Sequence, residues 1–213
     1  MSPIVLSLCD RTGVMVEPWR AAGYQCVLVD LQHEGVTRGL DGTIRLGMDV
    51  RDFQDYESPD VYPVIVFAFP PCTDLANSGN RWKRDKGLEV LYDALGLVLA
   101  CKRICEASGA PWMLENPVGS LSTYWRDPDY TFHPWEYTTP KESKRTCIWA
   151  GNNFVLPPRE VVDKPPDVQE TVWRMGPAPD RADRRSVTPD GWARAVFHAN
   201  EPWVRTREVE PCL

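Results

Sequence analysis

At 213 residues, with a formal net charge of −6, 43% hydrophobic and 25% charged residues, the chain has a globular composition that supports one substantial core and is too short for two full domains. Its acidity excludes a broad basic surface of the kind that grips a long polyanion, and no apolar stretch reaches the length of a membrane span. Seven cysteines without a CxxC pair exclude a disulfide framework and structural zinc, and the N-terminus enters Ile4-Val5-Leu6 directly, so we expect reduced thiols, no metal and a cytoplasmic protein.

The first segment reads as a strand over 4–8, a loop Cys9-Asp10-Arg11-Thr12-Gly13, a helix over 14–22 stopped by Gly23, and a strand over 26–29 ending in Asp30. This βαβ opening predicts an α/β protein with a Rossmann-like, mostly parallel sheet flanked by helices. A glycine-bearing turn after the first strand lets a ligand approach the backbone, and an acid ending the second can bind both hydroxyls of a ribose. The turn lacks the GxGxxG of dinucleotide sites. A further strand is expected over 44–48, closed by Asp49-Val50, and the apolar run 64–68 reads as the central buried strand.

That central strand runs into Phe69-Pro70-Pro71-Cys72. The prolines fix φ and supply no N–H, so the chain leaves the strand on a set course and holds the thiol over the carboxyl edge of the sheet. The basic run Arg81-Trp82-Lys83-Arg84-Asp85-Lys86 follows and can hold a nucleotide phosphate or lower the thiol's pKa; Arg181, Arg184 and Arg185 form a second basic group. Leu88, Leu91, Leu95, Val98, Leu99 and Ile104 fall near helical spacing, predicting a helix whose apolar stripe is core, in which Cys101 and Cys105 serve packing. A strand over 112–114 then finishes in Glu115-Asn116-Pro117. Residues 120–141 are aromatic and Pro-rich and are expected to be loop packed on the core; 145–150 reads as a strand and 156–189 as loops. A closing helix is predicted over 192–199, with Thr188 as N-cap and Pro189 at its first position.

The predicted strand ends present Asp30, Asp49, Cys72 and Glu115 along one edge. Two carboxylates suit a nucleoside cofactor, and a cysteine with a glutamate suits attack on a heteroaromatic base. Carbon 5 of a pyrimidine is too poor a nucleophile to be alkylated directly. Addition of a thiolate to carbon 6, with an acid at N3, turns the ring into an enamine-like nucleophile at carbon 5. A carboxyl kept protonated by burial is suited to N3 of cytosine.

The segments Leu6-Ser7-Leu8-Cys9-Asp10-Arg11-Thr12-Gly13, Val29-Asp30-Leu31, Asp49-Val50, Phe69-Pro70-Pro71-Cys72, Leu114-Glu115-Asn116-Pro117, Lys144-Arg145-Thr146 and the stretch from Thr188-Pro189 to Asn200 follow one another in an order that resembles the DNA cytosine C5-methyltransferases. The resemblance implies a single S-adenosylmethionine-dependent methyltransferase domain. It implies cofactor contacts at Asp10, Thr12, Gly13, Asp30, Leu31, Asp49, Val50, Phe69 and Pro70, and substrate contacts at Pro71, Asn116, Arg81 and Lys83. Cys72 becomes the nucleophile, Glu115 the group at N3, and Arg145 the cation steadying the pyrimidine. Amino-directed methyltransferases carry an acidic or amide residue before Pro-Pro and an aromatic after it, where this chain has Phe69 and Cys72.

The chain departs from the family at Cys9-Asp10-Arg11, where a Phe and small residues are usual, and at Pro117, where a valine is usual. Only a reduced, loop-rich insertion at about 151–188 stands where DNA-reading members carry a target recognition domain. Three functions follow: C5 methylation of cytosine in DNA, which requires the base to leave its stack; C5 methylation or related alkylation of a free cytosine nucleotide such as dCMP; and a catalytically inactive paralogue that binds cofactor or a partner.

Overall fold

A computed structural model of the chain describes residues 2–53, 61–77, 85–170 and 186–209. The basic residues Arg81, Lys83, Arg181, Arg184 and Arg185 lie outside these ranges. Five parallel strands make the centre of the sheet: β1 (Ser2–Leu8), β2 (Gln25–Val29), β4 (Ile44–Leu46), β5 (Val61–Ala68) and β6 (Trp112–Pro117). Antiparallel strands extend it, with β3 (Val36–Arg38) on β4 at one side, and β8 (Thr146–Gly151) on β6 followed by β7 (Tyr130–Phe132) at the other. The order is β3-β4-β2-β1-β5-β6-β8-β7. Chain progression reverses between β1 and β5, the place where open α/β sheets bind ligands beyond their carboxyl ends.

The central strands are buried on both faces, which is why they read as unbroken apolar runs. One face carries Leu6, Leu8, Val66, Ala68, Leu114 and Trp149 and is covered by α2 (Leu88–Ala107) through Ala94, Val98, Cys101 and Cys105. The other carries Val5, Leu28, Ile65, Phe67, Met113 and Ile148 and is covered by α1 (Glu17–Ala21) and the final helix α4 (Asp190–Val209). Short α3 (Leu121–Tyr124) precedes β7. No described helix is long and apolar enough to cross a membrane.

Several expected elements differ in ways with local causes. The helix expected over 14–22 splits into a 3₁₀ turn Val14–Val16 and α1, because Pro18 has no N–H to give the Val14 carbonyl. β5 begins earlier than residue 64: the register shift opposite Ile4 and Val5 accommodates Pro63, whose missing donor falls at a bulge. β6 runs through Pro117, so Glu115 and Asn116 lie within the strand and not beyond it; the parallel ladder with β5 stops at Leu114, and antiparallel β8 carries the pairing on. In α2, Leu88 and Leu99 face outward, 75% and 46% exposed, because small side chains at 94, 101 and 105 let the helix lie close on the sheet. α4 starts at Asp190, and its first turn closes with Ala193 N–H donating to the Pro189 carbonyl at 3.0 Å. Pro189 thus takes the capping position, and Thr188 is the buried residue before it. The segment 120–141, expected to be loop, contains α3 and β7, and its aromatics pack on α4: Phe132 stacks on Trp192 at 4.1 Å and Tyr137 meets the same ring edge-on at 5.0 Å.

Candidate functional site

Beyond the carboxyl end of β1, Asp10 is turned into its own loop. Its carboxylate accepts from Ser7 Oγ (2.7 Å), Gly13 N (2.7 Å), Thr12 N (3.1 Å) and Thr12 Oγ1 (3.3 Å). Burial raises its pKa against the pull of those four donors. Asp10, Thr12 and Gly13 therefore build the loop from within, and Asp10's side chain shapes it without reaching a ligand. Gly13 sits at φ 72°, and a Cβ there would meet Leu28 Cδ1 at 2.9 Å, so glycine alone suits that corner.

Past β2, Asp30 is half-buried; its Oδ1 accepts from Gln32 N at 2.8 Å, and Oδ2 has no partner among the described residues. Leu31 beside it is 71% exposed. His33, which the sequence reading missed, donates from Nε2 to the Asp10 carbonyl at 3.2 Å. Past β4, Asp49 caps the 3₁₀ turn Val50–Asp52, and both its oxygens are engaged by Arg51, at 3.0 Å from Nε and 2.6 Å from Nη2. Those bonds hold its carboxyl below the usual range. Arg51 Nη1 is itself held by Asp93 at 2.6 Å. Val50 is buried, so any ligand contact there comes from its main chain. The turn after β2 therefore offers an available carboxylate and an exposed leucine, whereas Asp49's carboxylate is engaged by Arg51.

Past β5, Phe69 N–H still bonds the Leu8 carbonyl at 2.9 Å, so the Pro-Pro-Cys turn starts from the sheet itself. Pro70 is buried, Pro71 exposed and Cys72 half-buried. The Cys72 carbonyl accepts from the N–H groups of Leu75 (3.1 Å) and Ala76 (2.9 Å), folding the chain after the thiol into a turn. This turn is stitched to the segment after β6. Asn116 Nδ2 donates to the Pro70 carbonyl (2.9 Å), Asn77 N to the Val118 carbonyl (3.0 Å) and Ser120 N to the Leu75 carbonyl (2.8 Å). Ala76 and Gly119 form a bridge so close that a Cβ on Gly119 would overlap the Leu75 carbonyl. Asn116 is 1% exposed, so its place is behind the Cys72 turn and not against a substrate.

Strand alternation divides the remaining residues between two faces. Glu115 pairs with Ile148 and Pro117 with Thr146, so Glu115, Ile148, Thr146 and, two residues before it, Lys144 share the α4 face. A small cleft, with enclosed room for about one water molecule and otherwise open to solvent, lies there, lined by Phe69, Glu115, Phe132, Lys144, Thr146, Thr188, Pro189 and Trp192. Glu115 Oε1 is buried and has no hydrogen-bond partner among the described residues, and the same holds for Trp192 Nε1. Burial raises the Glu115 pKa, and Lys144 pulls it partly back. Arg145, the expected cation, has the opposite parity and is exposed; Lys144 holds the position beside Glu115.

The fold thus places Asp10, Thr12, Gly13, Asp30, Leu31, Asp49, Val50, Phe69, Pro70 and Cys72 just beyond the carboxyl ends of the parallel strands, with Glu115 inside the last part of β6 at the same edge. Sequence reading overlooked His33, Lys144, Gly119 and the cavity-lining role of Trp192. The signal for Lys144 was its spacing of two from Thr146; the others depend on tertiary contacts. Among the described residues no group of three or more His, Cys, Asp or Glu is arranged to hold a metal ion. The chain matches no protein-family model, and no curated protein matches it in sequence.

Proposed function

We propose that the chain is an S-adenosylmethionine-dependent methyltransferase acting at carbon 5 of cytosine, in DNA, through a transient bond from Cys72. One observation carries the reading. The Pro-Pro-Cys turn and the Glu-Asn strand form a single hydrogen-bonded unit, tied by Asn116 to Pro70, with a buried glutamate whose carboxyl is biased toward its protonated form. Bound cofactor supplies an electrophilic methyl group, and Asp30, Leu31 and the 10–13 loop are the residues that would hold it. The Cys72 thiolate adds to carbon 6, and the Glu115 acid hydrogen-bonds or protonates N3, placing the electron pair at carbon 5. Carbon 5 would then take the methyl group, with S-adenosylhomocysteine as the leaving group; transfer of the carbon 5 proton to solvent breaks the bond from carbon 6 to sulfur, releasing the Cys72 thiolate, and N3 returns its proton to Glu115. Lys144 beside Glu115 opposes the effect of burial and favours the ionised carboxyl. We assign Lys144, in place of Arg145, as the cation of the base pocket.

A free cytosine nucleotide is the second reading, favoured by the net charge of −6 and by the short segment after β8. In its described part that segment folds back on the chain: Gln169 N donates to the Lys141 carbonyl (2.8 Å) and Ser143 N to the Gln169 carbonyl (2.9 Å). The deciding experiment offers labelled S-adenosylmethionine with duplex DNA, single-stranded DNA, RNA and dCMP in parallel and reads the mass of the modified base. 5-Methylcytosine in DNA is the expected product. Transfer to dCMP alone selects the nucleotide, and transfer to none of them refutes the S-adenosylmethionine-dependent reading in favour of an inactive binding paralogue or another alkyl donor.

A further inference from the structure

A nucleoside that spans the ends of β1 and β2 needs the loop at 10–13 and the turn at 30–33 held at a constant spacing, yet the ladder between the two strands ends at Leu8 and Val29. Beyond it the main chain adds one contact, Asp10 N–H to the Val29 carbonyl at 3.3 Å. Among the described residues, His33 is a side chain that reaches across. Its own position is fixed on two sides. Its N–H donates to the Asp30 carbonyl at 3.1 Å, closing the turn that carries the ribose-binding acid. Its carbonyl abuts Gly47, where a Cβ would overlap it, and Gly47 N–H is held by the Gly35 carbonyl at 2.6 Å. From that anchored backbone the half-buried imidazole gives its Nε2–H to the Asp10 carbonyl at 3.2 Å. A carbonyl can only accept, so Nε2 is the donor in this bond.

We infer that His33 is a positioning residue: its Nε2–H clamps the loop after β1 to the turn after β2 and so sets the width of the cofactor cleft. The significance of that width rests on the methyltransferase reading; the clamp itself does not. Asp10 shapes the loop from inside through its carboxylate, and His33 holds the same residue's carbonyl from outside. Removing the clamp leaves the loop's internal bonds intact but lets it move relative to Asp30. The effect falls on ground-state binding and not on the chemical step.

Two variants of the full chain separate this from a packing role. His33→Ala removes the donor, and His33→Gln retains an amide N–H at about the reach of Nε2. Hydrogen exchange over residues 9–13 of the ligand-free protein is the first readout: about tenfold faster exchange in His33→Ala, with wild-type protection in His33→Gln. The second is S-adenosylhomocysteine affinity by calorimetry, expected to weaken about five- to tenfold in His33→Ala and less than about twofold in His33→Gln, with the cofactor KM raised and kcat within about twofold. Unchanged protection in His33→Ala overturns the inference. Equal loss in both variants also overturns it, since the ring's bulk would then matter and not its donor. Should wild-type protein bind no S-adenosylhomocysteine while the exchange pattern holds, the clamp stands and the methyltransferase reading falls.

Discussion

Asn116 is the side chain through which the strand bearing Glu115 fixes the turn bearing Cys72, and replacing it by alanine tests that link. Its Nδ2 donates to a buried carbonyl, that of Pro70, at 2.9 Å. Truncation strands that acceptor, at a cost of about 1–3 kcal/mol. The small void adds less than about 1 kcal/mol at roughly 24 cal/mol per Å³. One term runs the other way: Oδ1 is buried without a partner and disappears in the same substitution, returning part of the cost. The balance is about 2 kcal/mol of destabilisation, or a fall in Tm of about 4–8 °C for a domain of this size.

Catalysis should lose more than stability does. Pro70 is two residues before the thiol, and a displacement of about 1 Å at a reacting group costs up to about a hundredfold in rate. Thermal melting, S-adenosylhomocysteine calorimetry and methyl transfer on Asn116→Ala should give the lowered Tm, cofactor affinity within about twofold, and kcat reduced about ten- to a hundredfold. A lowered Tm with unchanged kcat would refute the argument that this hydrogen bond places the nucleophile. Asn116→Asp sharpens the test, because it keeps the shape and sets an acceptor against the Pro70 carbonyl. Burial raises such a carboxyl's pKa, so its stability should be greatest below about pH 4 and fall as pH rises through the raised value.

Cys72→Ser should abolish methyl transfer and leave S-adenosylhomocysteine affinity within about twofold, because the thiolate acts in the chemical step alone; retained turnover rules out the covalent route. Asp30→Ala should give the reverse pattern, cofactor binding weaker by about tenfold as the primary loss, since a ribose clamp acts in ground and transition states alike; unchanged affinity removes Asp30 from the site. Glu115→Gln separates stability from activity. Burial raises the Glu115 pKa above its ordinary 4.5, so the wild type's stability is full below that value and declines as pH rises through the folded-state pKa. The glutamine cannot ionise, so its Tm should gain on the wild type between pH 5 and 8 while turnover falls at least about a hundredfold; parallel melting profiles would show that the carboxyl bears no burial penalty.

Much of the site was legible because parallel strands announce themselves as apolar runs and their carboxyl ends then fall on one edge. Asp30, the Pro-Pro-Cys turn and the order of segments around them needed no more than this. The roles of Asp10 and Asp49 were not legible, because loop carboxylates can face inward as easily as toward a ligand. Asp10 is consumed by four donors of its own loop and of Ser7, and Asp49 by Arg51, which sits two residues along and could equally have faced solvent. The exposed face of α2 was misread for a related reason: Leu88 and Leu99 keep helical spacing, but the helix turns its small residues to the sheet.

Register, which a single sequence does not contain, decided the pair Lys144 and Arg145. Because Glu115 opposes Ile148, even-numbered residues of β8 lie on the face of Glu115 and odd-numbered ones on the face of Asn116. The same alternation runs through β5 into its exit: Phe69 lines the Glu115 cavity, and Pro70 presents its carbonyl to Asn116. Consecutive residues of the Glu-Asn pair therefore do different work: Glu115 lies on the α4 face, and Asn116 turns to the other face and holds the Pro70 carbonyl at the start of the turn that carries Cys72. A one-residue slip between β6 and β8 would put Arg145 beside Glu115 and leave Lys144 outside, so Lys144→Met should lower turnover about tenfold or more where Arg145→Met leaves it within about twofold. The opposite ranking of the two variants would mean that the working register is the slipped one.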